Sequence, residues 1–483
     1  MSASLRLMWR EGVSASAGGD GALVVQGPGV RLCLRQTSDA ILDAARRFEP
    51  PGEDQDRLRE LIGGEGDGAL ARWHYWLERL TQRGLLRHVA FVGETRLATL
   101  VAVSPYFVSR PSQVALGRRY ILSRFAYLRR EGAETVLESP LAHARIILNH
   151  CRVAAVVSAL AAPATARELA DQVGVLSPDA VAGVLALLLK AGMLDEPGKD
   201  EVSSLQTWEF HDMLFHARSR RGRFDAPYGG TCRLADHMPP PPALKPAVAG
   251  EAYDLYRPDL DRLERDDPPL ARVQAQRRSI REFDTSRPIT DRQLGEFLFR
   301  VARVTGYCDD EVETPQGPVH MRFALRPYPA GGGLYELELY IAIQVCANVD
   351  PGLYYYDPAG HRLIRLRGRT PQVTELLCDA AASAAIPEDT MQVLLILAAR
   401  FPRLAWKYES IAYALTLKHV GVVYQAMYLA ATAMGLAPCA IGGGDADLFA
   451  RASGTDYYSE TSVGEFLLGN PRRSAASFEQ GPG

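Results

Sequence analysis

The segment from Glu409 to Met434 constrains the fold more than any other part of this 483-residue chain, because it predicts a helix that is apolar on nearly every side. Its apolar residues occupy two faces: Ile411, Leu415, Val422, Ala426 and Leu429 on one, and Val420, Val423, Met427 and Ala431 on the other. Gly435 and Pro438 follow, as is typical of a helix end. Such a helix is expected to be buried on all sides.

The composition limits the classes of protein to consider. With 47% hydrophobic residues and about 150 residues per domain, the chain is expected to hold about three units. A net charge of −3 gives no bulk attraction to nucleic acid or to an anionic membrane. The seven cysteines lack paired short spacings, and no histidine has a partner at metal spacing, so no metal site is predicted. Without a signal peptide or an apolar run of about 18 residues, the protein is expected to be cytoplasmic.

Two degenerate copies of one plan occupy residues 22–100 and 119–196: a strand, a helix, a short helix, a longer helix and a turn at glycine. In the second copy, residues 120–125 and 135–138 are predicted to form a hairpin. Thr165 and Ser177 are candidate N-caps. The pattern predicts two winged-helix-like domains, 1–100 and 101–196.

Winged helices most often bind DNA, but this pattern favours peptide docking. The would-be recognition helix, residues 177–193, carries only Asp179 and Lys190 as charged residues, too few cations to neutralise phosphates. An exposed strand edge beside a helix is a site where a peptide adds as an extra strand. A purely structural arm remains the alternative.

Residues 197–268 are predicted to be a linker with a stiff polyproline spacer at 239–242. In the remaining domain, 269–483, Thr290 and Gln293 form a capping-box signal. Residues 354–356 and 363–366 predict a hairpin, and 393–397 a strand. The fold class is α+β, with helices packed on a mixed sheet.

Four segments of this domain are candidate anion or cofactor sites. A loop of small residues precedes the strand-like run 337–343, and such a loop lets main-chain amides approach a flat ring or a phosphate. The alternative is a mobile turn without a ligand. An arginine-serine cluster suits a phosphate dianion, its alternative being a solvated basic patch. A second glycine loop and an arginine pair follow. The candidates are Pro329, Ala330, Gly331 and Gly332; Arg277, Arg278, Ser279 and Arg281; Ile441, Gly442 and Gly443; and Arg472 and Arg473.

Together these segments resemble the flavin mononucleotide (FMN) site of the nitroreductase superfamily, over about residues 270–475. Within it the chain is most similar to the streptolysin-type azoline dehydrogenases. That narrower resemblance rests on residues 326–338, on Trp406-Lys407-Tyr408, and on residues 208–211 and 228–231 of the linker. His211 and the nearby His216 also match the family, but we can derive no role for them. Ala330 departs from the family, which usually has serine there.

The resemblance implies a function and an assembly. It implies an FMN enzyme that oxidises thiazolines and oxazolines of a ribosomally made precursor peptide to thiazoles and oxazoles, with dioxygen reoxidising the flavin. The leader of that peptide would dock on residues 1–196. It also implies an intertwined homodimer around helix 409–434, with flavin sites between subunits; the alternative is the core helix of a large monomer.

Lys407 and Tyr408 are the candidate catalytic residues. Aromatising an azoline removes a proton from one ring carbon and a hydride from its neighbour, so a base is needed opposite the hydride acceptor. A lysine beside a tyrosine favours the phenolate, so we expect Lys407 to lower the pKa of Tyr408. The alternative is a surface cation beside a packing residue.

Two other functions fit parts of the sequence. A nitro or quinone reductase using NAD(P)H would need the same flavin motifs, but has no use for two peptide-docking repeats. A non-enzymatic leader-binding scaffold would need the repeats, but not intact arginine and glycine motifs.

Overall fold

The computed structural model describes residues 3–27, 30–35, 37–109, 113–174, 176–198 and 203–472. The chain forms two compact units, Met1–Ala226 and Pro227–Gly483. The boundary between them lies inside the segment that the sequence predicts as a linker.

The first unit is built on a seven-stranded sheet of order β5-β1-β6-β7-β11-β10-β9, with a three-stranded sheet β2-β3-β4 and a small pair β8-β12. Its strands are β1 Ala3–Trp9, β2 Ser14–Ala17, β3 Leu23–Gly27, β4 Val30–Leu34, β5 Glu53–Asp54, β6 Leu86–Val92, β7 Thr95–Ala102, β8 Ile121–Leu122, β9 Tyr127–Glu131, β10 Glu134–Glu138, β11 Ala144–Leu148 and β12 Leu194–Asp195. Its helices are α1 Asp39–Arg46, α2 Gln55–Gly63, α3 Asp67–Gln82, α4 Cys151–Ala159, α5 Ala166–Val173, α6 Pro178–Ala191, α7 Ser203–Gln206 and α8 Phe210–Arg218.

The repeated plan is confirmed, since three helices, α1–α3 and α4–α6, occur in each copy and end at a glycine turn before a strand. Thr165 caps α5 in a full capping box, and Ser177 caps α6. The two copies are joined through one sheet, because β7 pairs with β11.

The predicted hairpin of residues 120–125 with 135–138 is wrong. β10 pairs instead with β9, whereas Ile121 and Leu122 pair with β12. Gly132, at φ +58°, lies in the tight turn between β9 and β10, and such a turn pairs the strands directly beside it.

Lys190 is buried in this unit and is not a surface cation on α6. Its Nζ lies 3.3 Å from His88 Nδ1, and His88 Nε2 lies 3.3 Å from Thr81 Oγ1. Burial lowers the pKa of Lys190 to about 8 and holds the pKa of His88 well below its usual value. The would-be recognition helix therefore offers even fewer surface cations to DNA than the sequence suggests.

The second unit is a seven-stranded sheet of order β13-β18-β17-β16-β19-β21-β20, with a separate hairpin β14-β15. Its strands are β13 Ala252–Asp254, β14 Gly306–Thr314, β15 Gly317–Leu325, β16 Leu337–Ile343, β17 Gly352–Asp357, β18 Arg362–Arg367, β19 Val393–Arg400, β20 Ala437–Ile441 and β21 Glu460–Gly469. Its helices are α9 Leu260–Asp266, α10 Leu270–Gln276, α11 Asp291–Ala302, α12 Pro371–Ala384, α13 Phe401–Ala405, α14 Ala412–Ala433 and α15 Ala446–Ser453.

The α+β class is confirmed, but the sheet is not mixed. Its ladders are antiparallel. Short connections lead from β16 to β17 and from β17 to β18, and short connections join antiparallel neighbours. The predicted capping box at Thr290, the hairpin of β17 with β18 and the strand at 393–397 are all found.

Two helical layers cover the central strand β16. Leu339 and Ile341 pack in one core with residues of α11 and α14, while Tyr340 and Ala342 pack in the other core with residues of α12 and α15. This is the alternation expected of a strand with period two. The polyproline residues belong to this unit, because buried Arg403 and Arg400 donate to the carbonyl oxygens of Pro241 and Pro242.

Helix α14 is confirmed, but it is not buried on all sides within one chain. Thr416, His419, Val423 and Met427 lie on its buried face. Nearer its start, Tyr413 is 48% exposed and Leu417 is 40% exposed.

Within the described residues, no single helix has the length and apolarity to cross a membrane, and the sharply bent pair α5 and α6 meets those criteria only when taken together.

Candidate functional site

The arginine-serine cluster lies against β20 and Tyr428 of α14. Ile280 N donates to Pro438 O at 2.9 Å, and the hydroxyls of Ser279 and Tyr428 are 2.7 Å apart. Tyr428 Oη also accepts from Ala440 N at 2.9 Å. The Arg277 guanidinium lies 5.2 Å from the centre of the Tyr428 ring. The arginine-serine cluster and the strand that leads into the second glycine segment, about 160 residues apart, therefore meet at one tyrosine.

The end of the described chain joins the same place. Phe283 forms an antiparallel bridge with Pro471, and Arg472 N donates to Glu282 O at 2.9 Å. Arg278 and Arg281 are exposed. Arg281 also counteracts the rise that burial causes in the pKa of Cys439. Arg473 lies outside the described residues.

The loop that follows β20 offers main chain to a ligand. A Cβ added at Gly442 or Gly443 would meet nothing within 4 Å, whereas one at Gly444 would meet the Glu465 carboxyl at 2.4 Å. Burial raises the pKa of Glu465, and Tyr424 Oη accepts from its backbone amide at 2.7 Å. The open glycines fit a flat ring approaching the backbone.

A second cluster surrounds the loop Ala330–Gly333, which we call the glycine loop. Gly332 has φ +61°, and a Cβ there would lie 2.8 Å from Tyr408 Oη and 3.1 Å from Lys407 Nζ. The structure thus brings the predicted loop and the predicted catalytic pair together. Gly331 N donates to His419 Nε2 at 2.7 Å.

The segment 228–238 packs against Lys407 and its neighbours Trp406 and Glu409. Gly229 forms an antiparallel bridge with Glu409, and Cys232 N donates to Lys407 O at 3.0 Å. Trp406, which is buried, donates from Nε1 to Met238 O at 2.9 Å. The motif at 228–231 therefore packs on the pair that it accompanies in the sequence pattern.

The expected lowering of the Tyr408 pKa is wrong. Burial raises the pKa of Tyr408, and Cys232 adds to the rise. The ammonium of Lys407, whose Nζ lies 5.9 Å from the centre of the Tyr408 ring, does not reverse that rise.

Several residues of these clusters were not identified as site residues from sequence. Tyr428 is hidden in the apolar pattern of α14, and Glu336 precedes an apolar strand. His419 is a hydrogen-bonded core residue of α14, since its Nδ1 lies 2.7 Å from Glu336 Oε1. His211 and His216 lie in α8, beside the rings of Phe210 and Trp208. No group of three or more potential metal ligands is found in the described part of the chain.

The first cluster fits a flavin phosphate. Arginine side chains and a serine hydroxyl are donors suited to a dianion, and the neighbouring glycines leave room for a ring.

Three family models match the chain. The nitroreductase family matches residues 275–469, the cyanobactin oxidase ThcOx matches residues 120–225, and the ThcOx helix turn helix domain matches residues 1–108.

Individual relatives cover parts of the chain. A Methanocaldococcus jannaschii protein named "Putative nitroreductase MJ1384" is 28% identical over 196 residues, which are 40% of this chain and 85% of that protein. A solved Ralstonia eutropha structure also described as a putative nitroreductase is 20% identical, with a TM-score of 0.35, over 52% of this chain and all of that one. A chain of the Escherichia coli microcin synthetase McbBCD complex with truncated pro-MccB17 bound is 17% identical, with a TM-score of 0.33, over 57% of this chain and 99% of that one. The chain therefore matches the nitroreductase family model over residues 275–469 and the two cyanobactin oxidase ThcOx models over residues 1–108 and 120–225.

Proposed function

We propose that this protein is an FMN-dependent azoline oxidase, which converts thiazoline or oxazoline rings of a ribosomally made precursor peptide to thiazoles or oxazoles. The observation that carries the proposal is the contact of Lys407 and Tyr408 with the glycine loop at Gly332. That contact puts an acid-base pair beside the loop that would lie against the flavin ring. The ThcOx family matches support the same substrate class.

The cofactor would be held by the predicted segments. The phosphate would be bound by the arginine-serine cluster together with Arg472 and Arg473. The ring would lie against residues 329–332, which overlap the glycine loop, and against residues 441–443. When bound, FMN supplies a hydride acceptor, and dioxygen then removes the electrons.

The residues of the chain supply the proton chemistry. One azoline ring carbon loses a proton to Tyr408 Oη, and the neighbouring carbon gives up its hydride, so the ring loses two hydrogens and becomes aromatic. A tyrosine with a raised pKa is a stronger base as phenolate, but less of it is ionised at neutral pH. Lys407 Nζ lies at the same glycine, where its ammonium would stabilise negative charge developing on Tyr408 Oη.

We further propose a homodimer with a shared site. His419 belongs to one cluster and Tyr428 to the other, and both residues lie on α14. Nine residues along a helix correspond to about 13 Å and about two and a half turns. A flavin on one side of α14 therefore contacts one cluster of its own chain and takes the other from a second copy. The exposed Tyr413 and Leu417 would be covered in that dimer.

Residues 1–196 would bind the leader of the precursor peptide. The burial of Lys190 argues against phosphate binding by α6, and sheet edges in this unit suit a peptide that adds as a strand. All seven cysteines are free thiols, which suits action in the cytoplasm.

A spectroscopic experiment tests the function. The purified protein should be yellow, and adding a thiazoline peptide without oxygen should bleach it, while NADH or NADPH should not. Bleaching by a nicotinamide cofactor alone would favour a nitro or quinone reductase. Colourless protein that still binds leader peptide, and that no added FMN turns yellow, would favour the scaffold.

A further inference from the structure

A buried histidine and glutamate lie directly behind the glycine loop. His419 belongs to the buried face of α14, and Glu336 is fully buried just before β16. His419 Nδ1 lies 2.7 Å from Glu336 Oε1, and Gly331 N lies 2.7 Å from His419 Nε2. The three groups form one continuous hydrogen-bonded line from the sheet to the loop.

This line fixes the tautomer of His419. A backbone amide only donates, so Nε2 must present its lone pair to Gly331. The ring proton is then on Nδ1, from which it is donated to Glu336 Oε1. Because Nε2 is already occupied, His419 does not serve as a base for a substrate.

The hydrogen bond from the Gly331 amide to His419 Nε2 ties the loop to α14. The other backbone hydrogen bonds of the loop are local turns, from Gly333 N to Ala330 O and from Leu334 N to Gly331 O. The residue after the tie, Gly332, is the one that contacts Lys407 and Tyr408. A loop released from α14 would lose its register with that pair.

The two carboxyl oxygens of Glu336 differ in their partners. Its Oε2 is buried, and no group among the described residues donates to it. A buried carboxyl normally has at least one hydrogen-bond partner. For Glu336 that partner is His419 Nδ1, at Oε1.

We propose that His419, oriented by Glu336, is a positioning residue that holds the glycine loop in register with Lys407 and Tyr408. The inference deepens the proposed function and rests on it for its catalytic consequence, while the tie itself involves only groups of this chain.

Hydrogen exchange followed by mass spectrometry on the full chain tests the tie. His419→Leu removes the acceptor and should speed exchange at Gly331 about tenfold, the factor for a hydrogen bond worth about 1.4 kcal/mol. His419→Gln offers a side-chain carbonyl and should restore much of the protection. Val423→Ala, a truncation on the same buried helix face, should lower the melting temperature without affecting exchange in the loop.

Unchanged protection of the loop in His419→Leu would overturn the proposal, as would an equal loss in Val423→Ala. If His419→Leu does not fold, nitrogen-15 NMR of the wild-type imidazole decides the matter: a proton on Nδ1 is expected, and a proton on Nε2 overturns the tie. A wild-type protein that shows the tie but leaves azolines unoxidised would refute the proposed function instead.

Discussion

Replacing Gly332 by alanine should damage turnover beyond its effect on stability. Gly332 has φ +61°, where an L-residue is disfavoured by about 1–2 kcal/mol. The new Cβ would lie 2.8 Å from Tyr408 Oη, closer than the 3.0 Å below which Cβ atoms are essentially never found. Tyr408 or the loop must therefore move by a few tenths of an ångström. Since a displacement of about 1 Å costs a reaction roughly 100-fold, we expect a turnover loss on the order of tenfold.

Gly333→Ala is the matched control. Gly333 has φ +66°, but its added Cβ would meet Phe323 Cδ1 at an ordinary 3.4 Å. Thermal unfolding should show a similar destabilisation in both variants, by about 1–2 kcal/mol. Single-turnover oxidation of a thiazoline peptide should be slowed mainly in Gly332→Ala. Equal rates in the two variants would refute the contact between the loop and the catalytic pair.

Four further predictions follow from the same structure. Arg277→Ala combined with Arg281→Ala should yield colourless protein, and a full flavin absorbance would show that the phosphate is bound elsewhere. Tyr408→Phe should keep the flavin but lose at least about 100-fold in azole formation, and the wild-type rate should rise with pH because burial raises the pKa of Tyr408; a near-normal mutant rate removes it from the mechanism. Because the folded state lowers the pKa of Lys190 from 10.5 to about 8, the unfolded state binds more protons between those values. The free energy of unfolding should therefore rise there, by roughly 3 kcal/mol at most, and denaturation of Lys190→Met should lack that rise. A chain beginning at Pro227 should lose turnover of leader-bearing substrate far more than of a short azoline peptide, provided that it still binds FMN; equal losses would indicate a structural arm.

Local signals predicted what neighbouring residues determine. The N-cap at Thr165, the capping box at Thr290 and the limits of α14 depend on side chains within a turn or two, so the sequence alone is enough to predict them. Residues 120–125 have a strand-like composition, but the turn at Gly132 pairs β10 with β9 instead.

Long-range contacts and burial could not be predicted from the sequence. Tyr428 meets Ser279 across 149 residues, and His419 meets Glu336 across 83; neither distance leaves a local pattern. The pKa of Tyr408 depends on how deeply the fold buries it. Likewise, an apolar helix does not reveal whether its second face is covered by its own chain or by another.

The most direct test of the account is mass spectrometry of a synthetic thiazoline peptide after incubation with the purified protein in air. The account predicts a mass loss of two hydrogen atoms per ring and a product that resists reopening by acid, as a thiazole does. A yellow, folded protein that leaves the mass of the peptide unchanged, with or without its leader, would contradict it.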